Sequence, residues 1–297
     1  MSGIIHQKQD PNAIRATGTL EKRSPGDQAV QVLLYVLIAL IALLCVLPFI
    51  YVIAGSFATE QELTERPFFL IPHEFSLNAY SYILKDGSVF RGLKNSFLVT
   101  IVGTLINMFV SCTLAYPLSR SYLKGRNGFI NMVIVTMLFS GGMVPSYLLM
   151  RTLNLINNIW VLILPGILSV YNMILLKNFF EEIPESIEES AQLDGARNLT
   201  ILIRIVLPMS LPAIATIGLY YAVFFWNDWF NSLIYLKSDQ YPVMMFLRNI
   251  VNGTMVIGTG SGSAEKTTIA ISVKSAVIIT STVPIIVIYP FLQKFFV

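Results

Sequence analysis

The sequence predicts an all-α integral membrane protein with six transmembrane helices and both termini on the cytoplasmic side. Three observations carry that expectation: charge is scarce, long uncharged apolar windows recur, and one compact polar island separates the fourth window from the fifth. Of 297 residues, 12% are charged and 55% hydrophobic, and the mean hydropathy is +0.67; soluble domains carry about 25% charged residues. A crossing of the hydrocarbon needs about 20 mostly apolar residues. Spans at about 29–57, 95–119, 128–150, 158–176, 205–227 and 275–294 meet that length, which leaves 1–28 as a polar cytoplasmic tail and 29–297 as one six-span domain.

Taken in order, the tail holds Pro11 and Pro25 and lacks the short apolar core and cleavage site of a secretory signal, so the first span reads as an uncleaved anchor. Lys8, Arg15, Lys22 and Arg23 precede it. Arg120, Lys124 and Arg126 form a tight, unopposed trio in the short turn between spans two and three. Basic residues in short flanking segments mark the cytoplasmic side, which places the termini and the 178–204 loop there. The outer side then holds residues 60–92, suited to short surface helices, and 228–274, which opens with Trp226-Asn-Asp-Trp229 at headgroup level. Glu60, Glu62 and Glu65 read as a solvated surface. Cys45 and Cys112 lie inside apolar runs and imply no disulfide framework. His6 and His73 lie far apart and offer no metal-ligand spacing. The formal net charge of +3 is too small to suggest a nucleic-acid partner.

The polar island runs from Asn178 to Arg197 and continues through Ile205-Val-Leu-Pro208. Pro184 stops the preceding helix. Ser186 is then placed as an N-cap, with Glu189 at the capping-box spacing. A two-turn helix from about Ile187 to Asp194 follows, and Gly195 is its left-handed stop. Ser190, Ala191, Gly195 and Ala196 are small enough for another protein to approach closely. Glu185, Glu188 and Glu189 suit the positive end of the helix dipole.

Glu189, Ala191, Gly195, Ile205, Leu207 and Pro208 resemble the cytoplasmic Glu-Ala-Ala loop of permease subunits in bacterial ATP-binding-cassette importers, with Ser190 replacing the first Ala of the triplet. Asn95-Ser-Phe, Ala115-Tyr-Pro-Leu-Ser-Arg120, Gly142-Met-Val-Pro-Ser146, Leu153-Asn-Leu-Ile-Asn-Asn158, Trp226-Asn-Asp-Trp229 and Pro290-Phe-Leu-Gln-Lys-Phe-Phe are similar to the carbohydrate-uptake, maltose-transporter-type branch. Within that branch the details look like the subgroup handling oligosaccharides and polysaccharide fragments. The resemblance implies a type I importer permease fold in the bacterial plasma membrane. It also implies a second homologous permease, two cytoplasmic ATPase subunits that bind ATP and Mg, an extracytoplasmic solute-binding protein and a carbohydrate cargo. The ATPase-coupling residues it implies are Ser186, Glu189, Ser190, Ala191, Asp194, Gly195, Ala196, Leu207 and Pro208.

No cofactor is expected in this chain itself. The nearest approach to a phosphate-binding loop, Gly258-Thr-Gly-Ser-Gly-Ser-Ala-Glu-Lys-Thr267, has Glu265 where the last glycine belongs. Ion-coupled carriers keep ionisable residues within their spans, and these windows contain no charged residue before Lys294, the last residue of the sixth. An ion-coupled carrier or channel working without an ATPase is the alternative from another class. Energy must therefore enter mechanically, with the short helix as a lever and Pro208 and Pro212 joining it stiffly to span five. Asn107, Ser140, Asn172, Asn227 and Asp228 are candidates to hydrogen-bond a passing sugar; helix–helix hydrogen bonding is the other use for such groups. Gly103, Gly141, Gly142 and Gly218 suggest close helix packing.

Overall fold

The computed structural model describes residues 25–66, 68–253 and 271–293. Its helices, in chain order, are α1 (Pro25–Ser56), α2 (Glu60–Glu65), α3 (Asn78–Asp86), α4 (Ser88–Ser119), α5 (Arg126–Leu138), α6 (Met143–Thr152), α7 (Val170–Glu181), α8 (Glu185–Leu193), α9 (Asn198–Ile201), α10 (Leu207–Met209), α11 (Leu211–Trp226), α12 (Phe230–Tyr235), α13 (Val243–Val251) and α14 (Ile271–Gln293). Short 3₁₀ turns lie at Ile159–Leu162 and Ser238–Gln240, and a π turn covers Leu202–Val206. Among the described residues no strand forms; one isolated bridge joins Ala58 and Phe75. The Gly258–Thr267 segment and most of the polar tail lie outside the described residues.

The chain divides into two units, residues 1–50 and 51–297. The first contributes the apolar start of α1, which begins at Pro25, four residues before the expected span. The second holds everything from Tyr51 onward, and α4 is its central helix. Val89, Gly92, Ser96, Val99, Gly103, Asn107, Ser111, Ala115 and Leu118 are buried along it. That three-and-four spacing draws one continuous stripe down a helix. The stripe is mostly small residues, so neighbouring backbones come close. A Cβ added at Gly103 would sit 2.7 Å from the Phe225 ring, and one at Gly92 would sit 3.2 Å from Val243 Cα.

Among the described residues three helices are long and apolar enough to cross a membrane: Val30–Ser56 of α1, Ser88–Ser119 of α4 and Ile271–Ile288 of α14. Two bent pairs raise the number to five: α5 with α6, bent by 105°, and Asn198–Met209 with α11, bent by 86°. The helices depart from the expected span limits in four places. The helix holding span two starts at Ser88, ahead of 95, because Gly87 in the left-handed region (φ 67°) ends α3 and α4 begins directly after it. Arg91 and Lys94 lie exposed on its opening turns, so a charge-free window stops short of them. Span three breaks at Gly142, whose φ of 84° with ψ of 171° only glycine adopts readily. The 158–176 window is a 3₁₀ turn followed by α7, which runs on to Glu181 inside the polar island. Span five becomes a regular helix only at Leu211. Of the four glycines singled out for packing, Gly103 alone is crowded; Gly141 meets only Pro145 Cβ, at 4.0 Å, Gly142 serves the break, and nothing lies near Gly218.

Candidate coupling site

Helix α8 begins at Glu185, two residues earlier than its sequence suggests. Pro184, with φ −56° and ψ 131°, is the residue before the helix, and its carbonyl accepts the Ile187 N–H at 3.2 Å. Ser186 therefore sits inside the first turn and caps nothing, which corrects its assignment as an N-cap. The fixed φ of proline sets the entry before Ser186 is reached. The C-terminus matches expectation. Gly195 has φ 83°, its N–H donates to Gln192 O at 2.9 Å, and the Ala196 N–H donates to Ala191 O at 2.9 Å. These two bonds are the Schellman pattern, with Ala191 and Ala196 both packed on the core below.

The two faces of α8 differ. Ile187, Ala191 and Ala196 rest on a core of Tyr116, Phe180, Ile183 and Ile201. Ser186, Glu189, Ser190, Leu193, Asp194 and Gly195 are exposed. Leu193, at 89% exposure, is an apolar side chain held out in the open; it lies two residues past the inward Ala191 and so faces away. The Ser190 hydroxyl donates to Ser186 O at 2.8 Å, within its own helix. Leu207 is half-buried and Pro208 exposed at the π-turn junction below the bend.

Beneath α8 lies a joint that composition alone did not reveal. Arg120, just past the end of α4, is 1% exposed and its Nη2 stands 2.5 Å from Glu188 Oε1, itself 3% exposed. The contact is an ion pair without hydrogen-bond alignment at these two atoms. The Tyr116 hydroxyl donates to Glu188 Oε2 at 3.3 Å, and the guanidinium lies 5.3 Å from the Tyr116 ring centroid. At the rim, Ser121 Oγ donates to Glu185 Oε1 at 2.7 Å. Nearby, Arg126 pairs with Glu181, which Lys177 also reaches at 2.8 Å, and the Arg126 Nε–H donates to Leu118 O at 2.7 Å. The trio of basic residues after Ser119 is thus opposed at two of its three members, and Glu188, in the first turn of α8 as expected, also has a partner in space. Periodicity offered one clue: Glu188 falls between Ile187 and Ala191 on the inward side.

The polar candidates for a sugar path separate into different roles. Asn107 is fully buried and its Nδ2 donates to Gly166 O at 2.7 Å. Ser140 is exposed and its Oγ accepts the Gly142 N–H at 3.2 Å, supporting the helix break. Asn227 is exposed, and its side chain donates to Val223 O at 2.9 Å. Asp228 accepts the Asn231 N–H at 3.1 Å and the Asn231 side chain at 3.0 Å at the start of α12; burial holds its carboxyl above the ordinary range while those bonds pull the other way. Asn172 lines a cleft. That cleft, of about 380 Å³, is walled by Gly166, Leu168, Ser169, Tyr220, Tyr221 and Phe224. The Tyr221 hydroxyl, absent from the sequence expectation, sits 2.7 Å from Ser111 Oγ and accepts the Ser169 N–H at 3.2 Å, joining α4, α11 and the entry to α7.

The described residues thus combine apolar helices long enough to cross a membrane, an aromatic, amide-bearing cleft and a buried ionic joint under a two-turn surface helix. The chain is 47% identical over 272 residues to the polygalacturonan/rhamnogalacturonan transport system permease protein YtcP of Bacillus subtilis (strain 168), covering 89% of this chain and 93% of that protein. It is 33% identical over 204 residues to the sulfoquinovosyl glycerol transport system permease protein SmoH of Agrobacterium fabrum, covering 67% and 70%. A chain from the crystal structure of a bacterial ABC transporter involved in the import of the acidic polysaccharide alginate superposes with a TM-score of 0.84 at 30% identity, over 93% of this chain and 99% of that one. No protein-family model matches. The chain belongs to the permease subunits of ATP-binding-cassette sugar importers.

Proposed function

We propose that this chain is one of two six-span permeases forming a sugar path across the bacterial plasma membrane, with both termini and α8 in the cytoplasm. A second homologous permease completes the path. Two ATPase subunits bind ATP and Mg and hydrolyse the nucleotide, and an extracytoplasmic solute-binding protein delivers cargo to the outer segments. The outward residues of α8 (Ser186, Glu189, Ser190, Asp194 and Gly195, with Leu193 added by its exposure) meet the ATPase. Ala191 and Ala196 hold the helix to this chain, and Leu207 and Pro208 carry the chain onward to the bend.

The single observation supporting this reading most strongly is the two-faced α8: an inner face fixed by an ion pair and a Schellman turn, and an outer face left open with Leu193 at 89% exposure. The cargo we propose is an acidic oligosaccharide, a uronate-containing polysaccharide fragment. YtcP, named for polygalacturonan/rhamnogalacturonan transport, and the transporter involved in alginate import support that class, and the Asn172 cleft, with Tyr220, Tyr221 and Phe224 beside it, offers ring faces to a sugar.

The test is uptake into vesicles holding the complex purified with its partner permease and ATPase. Labelled oligogalacturonate should enter only with internal ATP and external binding protein. Uptake under an ion gradient without ATP would overturn the ATP-driven reading. Uptake of neutral oligosaccharides in place of acidic ones would overturn the cargo class.

A further inference from the structure

The sequence points to span five as the element that receives movement from α8, through Pro208 and Pro212. The bonds of the structure run elsewhere. Three side-chain links join α8 to the end of α4: the Arg120–Glu188 ion pair at 2.5 Å, Tyr116 to Glu188 at 3.3 Å and Ser121 to Glu185 at 2.7 Å. Arg120 and Glu188 are 1% and 3% exposed, so separating them would strand two ions away from water. Toward α11, in contrast, the chain passes a Schellman turn, α9, a π turn, α10 and an 86° bend. An irregular path with that many joints takes up displacement, whereas a water-excluded ion pair resists it. From its end at Ser119, α4 carries the buried stripe upward, where Ser111 meets Tyr221 and Gly103 meets Phe225.

We propose that Arg120 and Glu188 are positioning residues that make α8 and the end of α4 one rigid body, so that ATPase closure moves α4 directly and α11 follows through its packing on α4. The proposal rests on the reading of α8 as the ATPase dock.

Two measurements on the full transporter test it. In a Cys45→Ser, Cys112→Ala background, Ser121→Cys and Glu185→Cys are bridged with a short bis-methanethiosulfonate, and a photo-crosslinking residue at Glu189 reports whether the ATPase still sits on α8. A rigid unit predicts that the bridged, ATPase-crosslinkable complex transports within about twofold of the unbridged one. Loss of transport on bridging, restored by reductant while the Glu189 crosslink persists, would overturn the rigid link. Absence of that crosslink before bridging would instead count against the docking reading, which keeps the two failures apart. In the second measurement Arg120→Met should lower sugar moved per ATP by about tenfold with the ATPase retained, and Arg120→Lys should recover part of it. An unchanged ratio in Arg120→Met would also overturn the proposal.

Discussion

Two regions of this protein each hold a glutamate out of water, and they do so by different means. Under α8, Glu188 faces the guanidinium of Arg120, which reaches it from the end of a different helix. At the other, Glu62 of α2 accepts the His73 N–H at 2.9 and 3.1 Å and the Glu74 N–H at 3.4 Å, with Arg66 at 3.1 Å one turn away. Its neighbour Glu60 accepts the Ile271 and Ser272 N–H groups at the start of α14, at 3.0 and 3.3 Å. Of the expected solvated acidic surface, Glu60 and Glu65 are exposed and Glu62 is buried, with Glu60 and Glu62 also stapling backbone N–H groups. An ion pair between side chains of two elements joins those elements. Glu62, gripped by the backbone N–H groups of His73 and Glu74, fixes the course of its own loop, whereas Glu60 ties α2 to the start of α14. The first arrangement can pass on movement between helices, while the second holds a segment in shape.

The comparison predicts unequal damage. Arg120→Met leaves Glu188 buried and unpaired, a change that destabilises by about 3–5 kcal/mol; thermal unfolding in detergent should show the loss, smaller in Arg120→Lys. A variant with wild-type stability would mean that water or another cation reaches Glu188, and the contrast between the regions would fail.

Gly195 gives a smaller effect and sharpens the first region. Gly195→Val forces a β-branched residue into φ 83° and should cost about 1–3 kcal/mol. Gly195→Asn tolerates that conformation and should cost less. Among the described residues nothing lies within 4 Å of the added Cβ. If Asn nonetheless dislodges the ATPase from the purified complex, the crowding comes from the partner; if it does not, Gly195 is needed for the turn alone.

The smallest effect belongs to Glu62 and follows pH. The backbone bond from His73, first among the causes, holds its carboxyl below the ordinary carboxylate range, assisted by Glu74 and by the charges of His73 and Arg66. A depressed folded-state value means that the group's contribution is present above the unfolded carboxylate range and is lost as pH falls through the folded value. Limited proteolysis of the 58–76 segment should thus be slow at neutral pH and accelerate in acid. In Glu62→Gln it should be faster already at neutral pH, with less dependence on acid. An acid-insensitive wild-type segment would remove Glu62 as its staple.

Residues close in sequence announced themselves through local rules. Gly195 reads as a left-handed stop because the Schellman turn involves only Ala191 to Ala196, and the apolar windows read as crossings because hydropathy is a property of consecutive residues. Ser186 misled because the capping-box pattern is also local, yet Pro184 had already set the helix entry. The break at Gly142 was written in Ser140-Gly-Gly, but a pair of glycines serves packing and turning alike, and only the backbone angles distinguish them.

The sequence by itself determined that this is a helical membrane protein with a capped surface helix between two apolar stretches, since propensity, capping and hydropathy act over a few turns. Only the tertiary structure decided what that helix is fastened to. Arg120 and Glu188 are 68 residues apart, and each alone looks like a surface charge. Their pairing depends on α4 and α8 being brought together by the apolar core of Tyr116, Phe180 and Ile201. Once water is excluded there, the two charges have no better partner than each other.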